Sequence, residues 1–440
     1  MKRAILVLLI CCLLITSCTT KVAHEEHTDA GSKYVLENEM TVITKANPDT
    51  GMVAIDLLVK RSLAADGTMH GLGHFTNRLL LTGTEKRTRE QIITEIESKG
   101  GEITARTFAE YAEILIEIPS EHTDTALDIL ADVVLHSQIP ADEFEKEKKL
   151  VMSEIESKKD QPAVAAEELF MKTIYSGHPY ANPIDGYAES VSRITREDAL
   201  DHYRTWYVPN AMVIGAAGNI NEKKLVAAIN VRFGELKARE LPEETVMHTA
   251  NTESALNKQH MDLESAYIQQ GYTLTPANHP DFIKLRLANS ILGSGSGSRL
   301  FYELRDKRAL AYSVYSIAPS VRAGGFMKIA MISRPDVLND SLAGINEQVE
   351  RIRNEPVSDD ELNVVKQKVR GFFFLDHQKT TDQANYLALY ELQGLGYHYD
   401  VEYPQRISAV TSADVQDVAQ RYFHTPQVAI IGPFEEGKIS

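Results

Sequence analysis

Cysteine is nearly missing from this chain: three occur in 440 residues, Cys11, Cys12 and Cys18, all at the N-terminus. Past that point no internal disulfide can form, so core burial alone must hold the folded part together. Basic residues are also short, 46 Lys and Arg against 62 Asp and Glu, a formal charge of −16. Phosphate backbones would be repelled, which excludes nucleic acid as a partner and leaves a neutral or basic polypeptide as the better match. Nucleotide signatures are lacking too. The Gly/Ser run at 293–298 has no Gly-Lys-Ser/Thr and there is no dinucleotide fingerprint, so this run reads as a flexible turn before a helix.

The N-terminus, MKRAILVLLICCLLITSC, has two basic residues and then an apolar run too short for a stable membrane span, ending Ile15-Thr16-Ser17-Cys18. It is similar to a bacterial lipoprotein signal, which implies a signal peptide over 1–17 and lipidation of Cys18. The expected location is the bacterial cell envelope, lipid-anchored, in the outer membrane or periplasm of a Gram-negative cell. Residues 18–33 are polar and predict a flexible tether, with His24 and His27 as parts of a solvated spacer.

The chain beyond residue 33 is too long for one core and suits two large domains. Strands are expected over 34–46 and 52–60, then a short helix from His70 with Leu72, Phe75 and Leu79 on its buried stripe, which puts His74 and Arg78 on one shared face. Thr195-Arg196-Glu197-Asp198 returns as Thr411-Ser412-Ala413-Asp414, and Trp206-Tyr207 as Tyr422-Phe423, both offset by 216 (411 − 195 and 422 − 206). Two copies of one α+β unit explain this, each a mixed, largely antiparallel sheet with helices packed on one face. The expected boundaries are a first domain at 34–235, a linker at 236–260 and a second domain at 261–440.

Three constellations carry chemistry. The first is His74-Phe75-Thr76-Asn77-Arg78, with a Leu-rich run and a Gly-Thr turn after it. The second is Glu147 and Glu154, seven apart on one helix face that also carries Phe144, Leu150 and Val151. The third is Arg305 and Tyr312, also seven apart (312 − 305), within SRLF…LR…LAYSV.

Together these resemble the pitrilysin/insulinase metallopeptidases, whose His-x-x-Glu-His motif supplies two zinc ligands and a general base. The resemblance implies that His74 is a surviving ligand position and Glu154 the third, supported by Glu147. Asn77 stands where the base should be and Arg78 where the second ligand should be. An amide has no useful basicity, and a guanidinium offers zinc no lone pair. No metal and no catalytic group are therefore expected on this chain itself. The resemblance further implies a peptidase half-clamshell in which Arg305 and Tyr312 reach a substrate carbonyl, and a zinc-bearing homologous subunit as partner, with peptide as substrate. Two alternatives stay open. One is an envelope scaffold without a hydrolytic partner. The other is an active zinc endopeptidase using His70, His74 and Glu154, against which stand the helix-weakening Gly71 and Gly73 and the missing base. His178 precedes Pro179 and reads as part of a turn.

Overall fold

The computed structural model describes residues 21–243 and 247–434. The expected signal peptide and Cys18 lie outside the described residues. The first domain runs β1 (Val22–Thr28), β2 (Gly31–Leu36), β3 (Thr41–Ala46), β4 (Met52–Lys60), α1 (Leu72–Leu79), α2 (Arg89–Glu97), β5 (Glu102–Thr107), β6 (Tyr111–Pro119), α3 (Thr123–Leu135), α4 (Ala141–Lys158), α5 (Pro162–Ile174), α6 (Ala188–Arg193), α7 (Arg196–Trp206), β7 (Met212–Gly218) and α8 (Glu222–Phe233). The second runs β8 (Ala255–His260), β9 (Ala266–Thr273), α9 (Phe282–Gly293), a π-helical turn (Phe301–Lys307), β10 (Ala311–Ile317), β11 (Phe326–Ser333), α10 (Leu338–Asn354), α11 (Asp359–Asp376), α12 (Thr380–Leu392), α13 (Tyr399–Ala409), α14 (Ser412–Tyr422) and β12 (Gln427–Gly432).

The sheets are ordered β1-β2-β3-β7-β4-β6-β5 and β10-β11-β9-β12-β8. Five strands of the first sheet correspond in order to those of the second: β3-β7-β4-β6-β5 against β8-β12-β9-β11-β10. In each sheet one neighbouring pair is parallel, β3 with β7 and β8 with β12, and the other pairs are antiparallel. The repeat seen in the sequence is real at the level of local chemistry. Thr195 and Thr411 cap α7 and α14, each closing a capping box with the Asp three residues on.

Each domain lends the other a helix. α12 packs on β3, β4 and β7, and α5 packs on β8, β9 and β12. This explains why β4 is buried along nearly its whole length instead of alternating, since both of its faces are covered. The strands make room with glycine: a Cβ on Gly215 would meet Ala384 O at 1.9 Å, and one on Gly271 would meet Phe170 Cζ at 2.5 Å. A buried carboxylate adds a polar link, Glu110 accepting from the Arg322 and Ala323 backbone N–H groups (2.7 and 2.8 Å) and from the Tyr180 hydroxyl (2.8 Å).

Three expected boundaries need correction. Residues 22–28 of the supposed tether form β1, zipped antiparallel onto β2, and 255–260 of the supposed linker form β8, paired parallel to β12. Both are edge strands whose side chains are almost all exposed and polar, so the backbone ladder holds them and composition gives no sign. The single strand expected over 34–46 is two, β2 and β3, because Glu39 turns the chain at φ 72°.

Candidate functional site

The site starts from the way α1 begins. Gly71 precedes the helix at φ 93°, a conformation that favours glycine, and gives no side-chain cap. Asp66 replaces one: its carboxylate accepts from the N–H groups of Gly71 and Gly73, each at 3.0 Å, at the positive end of the helix. Asp66 is held in turn by the fully buried Arg61 at 2.5 Å. A Cβ on Gly73 would lie 2.2 Å from the Arg61 guanidinium carbon, so this glycine is a packing requirement. Burial pushes the Asp66 carboxyl up, and the Arg61 charge opposes that shift.

With its start fixed, α1 buries Leu72, Phe75 and Leu79, and the Phe75 ring meets Phe144 of α4 at 5.2 Å. The opposite choice of face turns His74 and Arg78 toward the acidic side of α4. Arg78 Nε donates to Glu147 Oε1 at 2.7 Å, while Nη1 and Nη2 fork onto the two oxygens of Glu154 at 2.6 and 3.2 Å. Glu147, 4% exposed, takes a second guanidinium, Arg89 Nη2 at 2.6 Å, and Arg89 Nε reaches Glu143 at 2.9 Å. Two arginines thus span three carboxylates along one helix face, satisfying charges that would otherwise sit against an apolar stripe.

Asn77 is fully buried and fully engaged. Its amide nitrogen donates to Arg106 O (2.7 Å), Thr107 Oγ1 (3.3 Å) and Glu113 O (3.2 Å), and its oxygen accepts from the Tyr207 hydroxyl (2.8 Å). The residue at the base position is a strut tying α1 to β5, β6 and the end of α7. His74 has a buried Nδ1 without a partner among the described residues. Burial and then the Arg78 charge lower its pKa to about 4, so the ring is neutral at pH 7.

Zinc does not fit this set. It needs lone pairs converging on one point, and here the fork of a permanent cation occupies the carboxylate that would supply one of them. Among the described residues no group of three or more His, Cys, Asp or Glu side chains could hold a metal ion. His70 lies outside α1, its ring edge-on to Tyr187 at 5.7 Å, so the four-residue spacing to His74 is not a helical repeat and the ligand set His70, His74 and Glu154 loses its basis. His178 is packed among Tyr175, Tyr180 and His248, with its Nδ1 accepting from Tyr180 N–H at 3.2 Å. His27, on β1, is bound to Glu25 and Ser32.

Arg305 and Tyr312 are in the other domain and are not brought to this cluster. Arg305 leaves the π-helical turn over the Phe301 ring at 4.8 Å, and Tyr312 stands 59% exposed on the edge strand β10. Sequence reasoning missed Arg61, Asp66 and Arg89. The signal available for the first two was an acid shortly before a Gly-x-Gly helix start.

The family model described as Insulinase (Peptidase family M16) matches residues 41–186, and that described as Peptidase M16 inactive domain matches 193–369. This chain belongs to the insulinase family. Its relatives in the family include an uncharacterized zinc protease of Mycobacterium leprae, 27% identical over 409 residues and 92% of each chain. Another, from Bacillus subtilis, is 26% identical over 404 residues, 91% of this chain and 98% of its own. A Helicobacter pylori protease structure superposes with TM-score 0.87 at 20% identity over 94% of this chain and all of its own. A Pseudomonas fluorescens peptidase M16 inactive domain gives 0.85 at 21% identity over 94% and 98%. These structures share the fold of this insulinase-family chain, whose zinc motif is degenerate.

Proposed function

We propose that this chain is a lipid-anchored, non-catalytic subunit that binds peptide and lends Arg305 and Tyr312 to the active site of a zinc-bearing homologous partner. The carrying observation is the Arg78 fork onto Glu154 and Glu147, which puts a fixed cation where zinc chemistry needs a ligand. The exposure of Tyr312, and an Arg305 that makes no ion pair among the described residues, support the second half of the reading. A guanidinium and a phenol at a developing oxyanion act as preorganised donors, each worth about 2.7–4 kcal/mol by analogy with other hydrolases. The lipoprotein-like leader supports attachment through Cys18 at the cell envelope.

The test is reconstitution with a homologue that carries His-x-x-Glu-His. The assembled pair should cleave peptide while this chain alone does not. Arg305→Ala should assemble normally and lower kcat by about 10²–10³. Unchanged cleavage by the variant, or turnover by this chain alone, would overturn the reading.

A further inference from the structure

The second domain contains a site that the peptidase reading does not use. Three helices each present an aromatic pair at i, i+4: Phe373 and His377 at the end of α11, Tyr386 and Tyr390 on α12, Tyr399 and Tyr403 on α13. The six rings close into a circuit. Successive centroids lie 3.9 Å (Phe373–His377), 4.3 Å (His377–Tyr386), 5.6 Å (Tyr386–Tyr390), 5.1 Å (Tyr390–Tyr399), 5.7 Å (Tyr399–Tyr403) and 4.9 Å (Tyr403–Phe373) apart. All six line one cavity of about 500 Å³.

Packing explains a ring cluster, but it does not explain the polar atoms. Tyr390, Tyr399 and Tyr403 are more than nine-tenths buried, and among the described residues none of the hydroxyls of Tyr386, Tyr390, Tyr399 and Tyr403 has a hydrogen-bond partner. The rings are buried but the hydroxyl oxygens stay accessible where these side chains line the cavity, so they are donors open to a ligand. The Arg286 guanidinium lies over the Tyr403 ring at 5.6 Å in the same cavity, with no carboxylate in ion-pair reach among the described residues. Burial raises the pKa of all four phenols, that of Tyr399 to about 12, so they remain donors.

An aromatic ring of this kind suits cations in general. Here Arg286 already supplies the cation, so a second would be repelled and an anion is attracted. Asp376, exposed at the rim, is the one carboxylate lining the cavity. The His377 ring is committed to Asp400, 2.8 Å away, which also holds Lys45 of β3 at 2.8 Å. Arg286 and the exposed Asp376 are thus the two charged side chains of the lining without an ion pair among the described residues, and of the two it is Arg286 that lies over a ring of the circuit.

We infer that this cavity binds a carboxylate carried on an aromatic body, the carboxylate on Arg286 and the tyrosine hydroxyls, the ring within the aromatic circuit. Tyr386 and Leu389 line both this cavity and the larger groove of about 820 Å³ between the first sheet and α12. A peptide lying in that groove can reach the cavity with its C-terminal residue. The same chemistry is offered by a free aromatic acid.

Calorimetry on the chain alone separates the two sources, using N-acetyl-phenylalanine, a pentapeptide ending in Phe, and the same pentapeptide with an amidated C-terminus. The acid-ended peptide should bind and the amide should bind at least about tenfold more weakly, because it gives up the charge-assisted contact. Tighter binding of the peptide than of N-acetyl-phenylalanine assigns the site to peptide C-termini, and the reverse assigns it to free acids; both support the inference. Arg286→Gln, at an exposed position, should remove most of the affinity, and Tyr403→Phe should weaken it while keeping the ring circuit. No binding of any probe at millimolar concentration, equal binding of acid and amide, or indifference to Arg286→Gln would overturn it. No catalytic partner is needed, so a negative result leaves the subunit reading standing.

Discussion

Arg78 and Glu154 face each other as two planar groups, joined by two hydrogen bonds of 2.6 and 3.2 Å across the gap between α1 and α4. Removing the guanidinium strands Glu154 and takes one of two arginines from the buried Glu147. Breaking a fully buried pair costs about 3–5 kcal/mol. Glu147 keeps Arg89, and the Glu154 side chain is 42% exposed, so water relieves part of the loss. Arg78→Ala is expected to destabilise the fold by about 1–3 kcal/mol in chemical denaturation. Arg78→Met with Glu154→Leu should recover most of it, and a neutral Arg78→Ala would mean that the pair is held too loosely to matter.

The same geometry predicts how much of a zinc site one change restores. Arg78→His would set an imidazole beside neutral His74 and free Glu154, three donors on facing helices. Titration calorimetry should then detect zinc at one equivalent where the parent chain gives none. Adding Asn77→Glu should not produce a peptidase. That carboxylate would face the Arg106 and Glu113 carbonyls and leave them without the amide donor, at about 1–3 kcal/mol for each stranded buried group. A lower melting temperature without peptide cleavage is the expected outcome of the double change, and measurable turnover would contradict it.

Legibility in the sequence tracked the strength of local signals. The capping boxes at Thr195 and Thr411 announced the repeat because a cap is written in four consecutive residues. The shared face of His74 and Arg78, and that of Glu147 and Glu154, were legible because helical spacing writes each within a single helix. β1 and β8 were not legible, since an exposed polar edge strand has the composition of a linker. The exchange of α5 and α12 was hidden for another reason: helical periodicity shows that a face is buried, not which domain buries it. Its nearest trace in sequence was glycine inside strands, at Gly215 and Gly271.

Attachment can be tested apart from activity. Among the described residues no helix is long and apolar enough to cross a membrane. If Cys18 carries lipid, Cys18→Ser should move the chain from the membrane pellet to the soluble fraction. Two acyl chains hold a protein firmly, and among the described residues their loss leaves no spanning helix in their place. Retention of the variant in membranes would point to an uncleaved leader.

The last prediction concerns two acids under the interdomain groove. Asp56 on β4 and Glu113 on β6 face the same side of the sheet, and one amide from the other domain bridges them, Asn385 Nδ2 donating to Asp56 Oδ2 at 2.8 Å and to Glu113 Oε1 at 2.9 Å. Arg106 pairs with Glu113, whereas Asp56 Oδ1 is buried without a partner among the described residues. Burial, then the neighbouring Glu113 charge, pushes the Asp56 carboxyl well above its ordinary 3.8, and burial pushes Glu113 up too. The folded chain therefore holds a proton at pH values where the unfolded chain has released it. In that window stability falls as pH rises, and the contribution is fully present only below the unfolded value. Asp281, Asp400 and Asp414 are shifted down and act in the opposite sense, so raw stability against pH mixes both signs. The difference between parent and Asp56→Asn isolates the pair, because an asparagine oxygen still accepts from Asn385 and carries no charge. Urea midpoints measured from pH 4 to pH 8 should show the variant gaining on the parent steadily as pH rises. A constant difference across that range would mean that Asp56 titrates near its ordinary value in the folded chain.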